Sequence, residues 1–513
     1  MEFMGFEVPF LYLLLLVPLI GAVVSGFTHK NRKNAKFVAI IFSGITLAIA
    51  LLYTYALSLT ATPYVDAEST IWIDTAGIKI FFAVGVDGMS VLMILLTTLL
   101  VFLVSVFSSS ESNSANTFFA LILAMEVGLL GVYMAQDYFL FYIFWEVALV
   151  PMYFLISGWG GPRRHYAAIK FFIYTHVASL IMLIGIFAMA MEAAHGGPWV
   201  TGGQAVDFSF AAIKAAAPAF GPVFQTFVFG MMFLGFAVKM PVVPFHTWLP
   251  DAHVEAPTAG SVLLAGVMLK MGSYGIIRIC LEVLPDGAHV WQPMMIVIAL
   301  VAILYGAYAC IAQKDLKKMV AFSSISHMGM VLLGIAMLSE LGIMFAIFQM
   351  FAHGLITAVL FMVCGICGHN TGTREIPLLG GLAGKMPIFA AFMMFGFLAS
   401  LGLPGLVGFV AEFGIIMSFF EFLAGTEYLW VVIFALASLL LTAGYYIWAM
   451  QRTIFGKETD KIDIDHVHDV SRPEIFALAI LCGLIALFGI LPGLITGVLE
   501  GAVTEICGLL GVI

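Results

Sequence analysis

Eight ionisable side chains stand inside long apolar runs of this 513-residue chain: Glu126, Glu146, His176, Lys239, Lys270, His327, His353 and Glu412. An ionised group at mid-bilayer depth costs about 2.5–3.5 kcal/mol on insertion scales, so each asks for a reason. Taken singly, a buried Lys–Glu pair can be a packing device and a lone histidine a satisfied bundle residue. Taken together, lysines and glutamates with histidines between them are the parts of a proton relay. Glu126 and His176 contribute least to that reading.

These residues need helices to hold them, and the helices need breaks. Lys239 is followed by Pro241 and Pro244, and Glu412 is preceded by Gly402, Pro404, Gly405 and Gly408. Proline frees backbone carbonyls, which lipid tolerates only beside a polar or watery cavity. Broken helices at matching places in two halves point to an ion path. Lys239 and Glu412 are 173 residues apart, His176 and His353 are 177, and Glu146 and His327 are 181. The near-constant offset aligns spans four to eight with spans nine to thirteen, and the odd number of spans between the copies inverts their topology.

The composition demands a membrane protein: 62% of residues are hydrophobic and 10% charged, against roughly 25% charged in soluble domains. A net charge of −9 leaves no basic face for nucleic acid. Fourteen stretches of spanning length are centred near 17, 48, 96, 125, 147, 179, 231, 270, 302, 327, 355, 403, 441 and 486. They lack the dyad alternation of a barrel, so the expected fold is all-α and polytopic, with broken helices 7 and 12. The expected divisions are helices 1–3 at 1–110, a first inverted repeat at 111–285, a second at 286–455, and an inner loop with helix 14 at 456–513. Placing both termini outside puts sixteen of the 21 Lys and Arg (at 30–36, 163–170, 314–318, 374–385 and 452–472) in inner connections. Lys79, Lys214 and Arg278 then fall outside, which satisfies the positive-inside rule.

The six cysteines sit in or beside apolar runs, and Cys364 and Cys367 read as packing despite their redox spacing. The loop carrying Asp463, Asp465, His466, His468 and Asp469 reads as a solvated acidic loop, with a metal site as its alternative.

Four strings carry a resemblance: FWEVALVPMYFLI, KMPVVPFHTWLPDAHVEAPTAGSVLLAGVMLKMGSYGIIR, QKDLKKMVAFSSISHMG and GLPGLVGFVAEF. They are similar to the antiporter-like membrane subunits of respiratory complex I, of the chain-M type equivalent to mitochondrial NADH dehydrogenase subunit 4. The resemblance implies fourteen helices with two inverted five-helix repeats, inside a multi-subunit pump. It implies Glu146 as the acid partnering the seventh-span lysine, Lys239 as the central protonatable lysine, and Lys270 as the connecting lysine. It implies His327 and His353 as links in a hydrated axis and Glu412 as the terminal site toward the outside. Sister chains and sodium/proton antiporters share the seventh-span motif, but generally carry lysine where Glu412 stands.

The expected function is therefore proton translocation in a redox-driven NADH:quinone oxidoreductase-type complex of the inner membrane. The partners are lipid, sister antiporter-like chains and, indirectly, redox subunits. No iron–sulfur spacing, dinucleotide fingerprint or haem motif is present, so no cofactor or metal is expected in this chain. The alternatives are a subunit of a multi-subunit cation/proton antiporter and a purely structural scaffold. A bis-histidine haem between spans ten and eleven is a minor one.

Overall fold

The computed structural model describes residues 2–3, 6–7, 9–28, 32–60, 64–75, 77–108, 113–195, 205–423, 429–458 and 467–512. After a two-stranded turn of β1 (Glu2–Phe3) and β2 (Phe6–Glu7), the chain runs through α1 (Phe10–Gly26) and α2 (Arg32–Ser58). A hairpin, β3 (Asp66–Thr75) and β4 (Ile78–Val86), then leads into α3 (Gly88–Phe107), α4 (Ala115–Met134), α5 (Tyr138–Trp159) and α6 (Arg164–His195). The short β5 (Val206–Asp207) adds to β4 in parallel, and α7 (Phe210–Ala216) follows.

Span seven is α8 (Pro222–Lys239) and α9 (Trp248–Glu255), separated by the proline segment. Span eight is one helical run of α10 (Thr258–Leu263), a π turn at 264–268, α11 (Leu269–Gly275) and a second π turn at 276–281. Then come α12 (Pro285–Ile311), α13 (Leu316–Ala336) and α14 (Glu340–Thr371). Span twelve is broken into α15 (Pro387–Ser400) and α16 (Val407–Leu423), and α17 (Leu429–Thr453), α18 (Arg472–Ile490) and α19 (Gly493–Leu510) complete the chain.

Every one of the fourteen expected stretches is helical, and both expected breaks occur where the prolines and glycines stand. Gly402 and Gly405 take φ of +81° and +93°, a left-handed region that glycine enters without steric cost. Two features go beyond the fourteen expected helices. The β3–β4 hairpin fills the connection between α2 and α3, and an apolar helix, α19, follows the fourteenth span.

Acids cap several helices at their first turn, where free N–H groups need acceptors. Asp137 accepts from Phe139 N and Leu140 N at 2.9 and 3.1 Å, and Asp315 accepts from Lys318 N at 2.9 Å. The core is the 258–281 run with α13 and α14, whose residues are almost all buried. Around it α4, α5, α6 and α8 pack in succession, α8 also meets α12, α12 packs on α13 and α17, and α16 and α18 pack on α14. Close approach needs small residues: a Cβ on Gly128 of α4 would stand 2.6 Å from Ala148 N of α5.

Candidate functional site

Lys239 is the last residue of α8, where the helix gives way to the proline segment. It is 1% exposed, and its Nζ has no hydrogen-bond partner among the described residues. The ammonium instead lies 5.5 Å from the ring centroids of both Trp145 and Phe171, within cation–π range. Glu146 does not close on it. Its Oε2 lies 2.9 Å from His176 Nδ1, and its Oε1 accepts from Ser179 Oγ at 2.5 Å, both on α6. Successive helix residues point about 100° apart, so with the Trp145 indole over Lys239, Glu146 faces α6. The acid–lysine pair is thus open in this structure, and His176 enters the site as the partner of Glu146.

The other four expected residues form one chain of contacts. Lys270 Nζ, fully buried, donates to Ala265 O at 2.5 Å and lies 2.7 Å from His353 Nδ1. With Lys270 charged, Nδ1 accepts and the His353 proton sits on Nε2, which has no partner among the described residues. The His353 and His327 ring centroids are 5.5 Å apart. His327 Nδ1 is 3.1 Å from Glu412 Oε1, and its Nε2 is 3.1 Å from Ser400 Oγ. Ser400 continues to Tyr446 at 2.8 Å, and Tyr446 donates to Ser323 Oγ at 3.0 Å. Glycine joins the two clusters' helices: a Cβ on Gly272 of α11 would meet Met240 N at 2.8 Å.

The offsets in the sequence reappear as geometry. Glu146 contacts His176 in the first half, and their counterparts His327 and His353 face each other in the second. The second half is closed, with His327 on Glu412; the first is open, with Lys239 alone. Glu126 remains outside both clusters: it is fully buried, and neither carboxyl oxygen has a partner among the described residues.

Two basic residues assigned to loops are elsewhere. Lys317 is in the first turn of α13 and 2% exposed, donating to Ala256 O at 2.5 Å. Arg278 lies in the second π turn, bonded to Asp87 and, at 2.9 Å, to Glu282. The four-residue spacing from Arg278 to Glu282 was the available sequence signal for that pair. His253 was missed altogether: it is fully buried on α9, stacked on Phe361 at 4.5 Å.

Cys364 and Cys367 are free and buried, as packing residues would be. Among the described residues no group of three or more His, Cys, Asp or Glu is placed to hold a metal. Asp463, Asp465 and His466 lie outside the described residues. Asp469 accepts from Ile388 N and Phe389 N at 2.9 and 3.0 Å, so it caps α15.

A polytopic bundle with two broken helices and a line of buried bases and acids is the architecture of an antiporter-like membrane subunit. The sequence profile of the NADH:quinone oxidoreductase/Mrp antiporter transmembrane family matches residues 135–453. The chain is 43% identical over 492 residues to F(420)H(2) dehydrogenase subunit M of Methanosarcina mazei, covering 94% of this chain and 95% of that one. It is 37% identical over 503 residues to NADH-quinone oxidoreductase subunit M of Rhodobacter capsulatus, covering 97% and 96%. Its fold superposes on a chain of respiratory complex I from Thermus thermophilus with a TM-score of 0.85, at 29% identity over 98% of this chain and 100% of the other. The chain belongs to the NADH:quinone oxidoreductase/Mrp antiporter transmembrane family, as an antiporter-like subunit of the M type.

Proposed function

We propose that this subunit translocates protons through Glu146, Lys239, Lys270, His353, His327 and Glu412, as a membrane part of a redox-driven NADH:quinone oxidoreductase-type complex. The observation that carries the relay is the contact chain from Lys270 through His353 and His327 to Glu412. Imidazoles accept at one nitrogen and donate at the other, so a proton entering at Lys270 has a route to the Glu412 carboxylate.

The first half is the loading end. Glu146 bonded to His176 leaves Lys239 as an unpaired cation; Glu146 swung onto Lys239 would hold it by about 4 kcal/mol at 4 Å and an effective dielectric of 20. Moving one charge through 100 mV costs about 2.3 kcal/mol, so opening and closing this pair is on the scale of the work required. Electron transfer belongs to partner subunits, and this chain carries no redox group in this reading. Sister antiporter-like chains are the neighbours, the inner membrane is the location, and the basic connections keep both termini outside.

Glu412 tests the reading. Glu412→Gln keeps shape and hydrogen bonding but cannot ionise; it should lower protons pumped per electron to under about a tenth while the complex assembles. Glu412→Lys, which still takes and releases a proton, should retain part of the pumping. The measurement is proton uptake per electron in membrane vesicles, with complex content read on native gels. A glutamine variant that pumps at the wild-type ratio removes Glu412 from the path.

A further inference from the structure

The second nitrogen of His327, the one not facing Glu412, meets a file of three buried hydroxyls. His327 Nε2 lies 3.1 Å from Ser400 Oγ, Ser400 Oγ lies 2.8 Å from the Tyr446 hydroxyl, and that hydroxyl lies 3.0 Å from Ser323 Oγ. Ser323 Oγ in turn donates to Val320 O at 2.8 Å, three residues back on the same helix. The file ties together α13, the broken end of α15, and α17.

The file has a direction, because its last member is fixed. A backbone carbonyl only accepts, so the Ser323 proton is committed to Val320 O. Ser323 Oγ then accepts from Tyr446, which commits the Tyr446 proton. A hydroxyl has one proton to give, so the Tyr446 oxygen accepts from Ser400. The Ser400 oxygen is left to accept from His327, and the network places a proton on His327 Nε2. The file cannot carry that proton away, since it ends on a carbonyl. Its effect is orientation.

The same reasoning reaches the other nitrogen. Nδ1 is 3.1 Å from Glu412 Oε1. A bare ring nitrogen and a carboxylate oxygen repel at that distance, so the pair holds a proton, on the imidazole or on the carboxyl. The two histidines of the second half therefore work differently. His353 has Nδ1 on Lys270 and an Nε2 without a partner among the described residues, so it passes a proton through its ring. His327 has Nε2 engaged, and it gains and loses its proton at Nδ1, the nitrogen that Glu412 covers. It takes a proton from His353 while Glu412 stands away, and it does not hand one back while Glu412 is in place.

We propose that Tyr446 is a positioning residue for the relay: through Ser400 it holds His327 protonated on Nε2, which latches the proton shared with Glu412 against return toward His353. The latch rests on the Lys270–Glu412 relay. Without the Tyr446 hydroxyl, Ser400 is free to donate to Nε2 instead. The Nε2 proton then leaves toward His353, the ring keeps the Nδ1 proton, and His327 conducts backwards.

Whole complex in membrane vesicles tests the latch. Tyr446→Phe removes one oxygen and keeps the ring beside Phe397. Its protons pumped per electron should fall about threefold to tenfold against an opposing membrane potential, and by less when valinomycin and potassium collapse the potential. The idle complex should also leak protons faster than wild type under an imposed potential. Ser400→Ala should slip in the same way, because His327 loses its acceptor. Residues that only pack would lower turnover and pumping together, with no dependence on potential and no added leak. Tyr446→Phe combined with Glu412→Gln should lose the leak, since the return path starts at Glu412. A Tyr446→Phe complex pumping at the wild-type ratio under potential, a leak that survives Glu412→Gln, or failure of both Tyr446→Phe and Ser400→Ala to assemble overturns the latch. Glu412→Gln alone separates the two ideas: its loss of pumping beside a normal Tyr446→Phe overturns the latch only, and its normal pumping overturns the relay and the latch with it.

Discussion

Trp145 and Glu146 are adjacent in sequence and face different neighbours, which divides the labour at the proposed loading end. The indole covers Lys239 with π density, while the carboxylate of the next residue binds His176 and Ser179. A cation held by rings alone is easily changed in charge state, which a relay lysine requires and a structural cation does not. Lys239→Arg separates the two roles, because arginine stays protonated in proteins. The arginine variant should assemble and should lose most pumping, as Lys239→Ala should, with Lys270→Ala milder because water can bypass a relay step. Proton uptake per electron in vesicles decides it, and full activity of the arginine variant would reduce Lys239 to a fixed charge. The six relay candidates were legible because an ionisable residue in an apolar run announces itself. Their partners were not: whether Glu146 meets Lys239 or His176 depends on which face α5 turns to α6 and α8, and that is a property of packing. His253 was hidden for a different reason, since beside Asp251 and Glu255 it reads as the polar end of a helix.

At the scale of elements, span eight is the least regular helix and the one that carries Lys270. Its two π turns flank α11, and a π turn holds one residue more than an α turn would. The wider turn loosens carbonyls from the backbone ladder, and Ala265 O, inside the first of them, accepts from the Lys270 side chain. Removing one residue from 264–268 should therefore be absorbed by a return to α geometry, leaving α10 and α11 intact. The complex should assemble, and pumping should fall because Lys270 loses its carbonyl; a native gel and vesicle assay read both. A chain that no longer assembles would show that the π turn is needed for packing instead. The proline and glycine breaks were plain in the sequence, whereas these π turns have no residue signature, since Leu264–Met268 reads as ordinary helix. The β3–β4 hairpin was also missed, because its alternation runs through an insertion whose polar residues outweighed the pattern.

At the scale of the whole molecule, α19 binds the outer parts of the bundle into one body. Glu505 pairs with Lys214 at 2.6 Å, and Lys214 also holds Glu282 at 3.2 Å. Its own Ile495, Leu499, Val503 and Ile506 are buried against the bundle. Ending the chain after Pro492 should lower the melting temperature of the subunit or stop it entering the complex, which native gels and thermal melts report. Burial alone would lower the Lys214 pKa, but the carboxylates of Glu282 and Glu505 outweigh it and raise it. A raised lysine stabilises fully below its unfolded value of about 10.4 and loses that contribution as pH climbs through the folded value. The Lys214 tie should thus be intact across neutral pH and slacken only in alkali, seen as faster proteolysis of the C-terminal helix. The same helix meets Gly88 at the start of α3 and, through Leu510 O, His289 of α12 at 3.2 Å. An 18-residue helix is about 27 Å long and does not shorten. It is a strut: it fixes the span between the two halves at one rim, whereas the opposite rim is tied by single hydrogen bonds, Lys317 to Ala256 O and Arg374 to Val254 O. Relative motion of the halves should then be a hinging about that rim. Spin labels at 211 and 290 should keep their separation through turnover, and labels at 165 and 312 should not; equal changes at both rims would mean that the strut gives way.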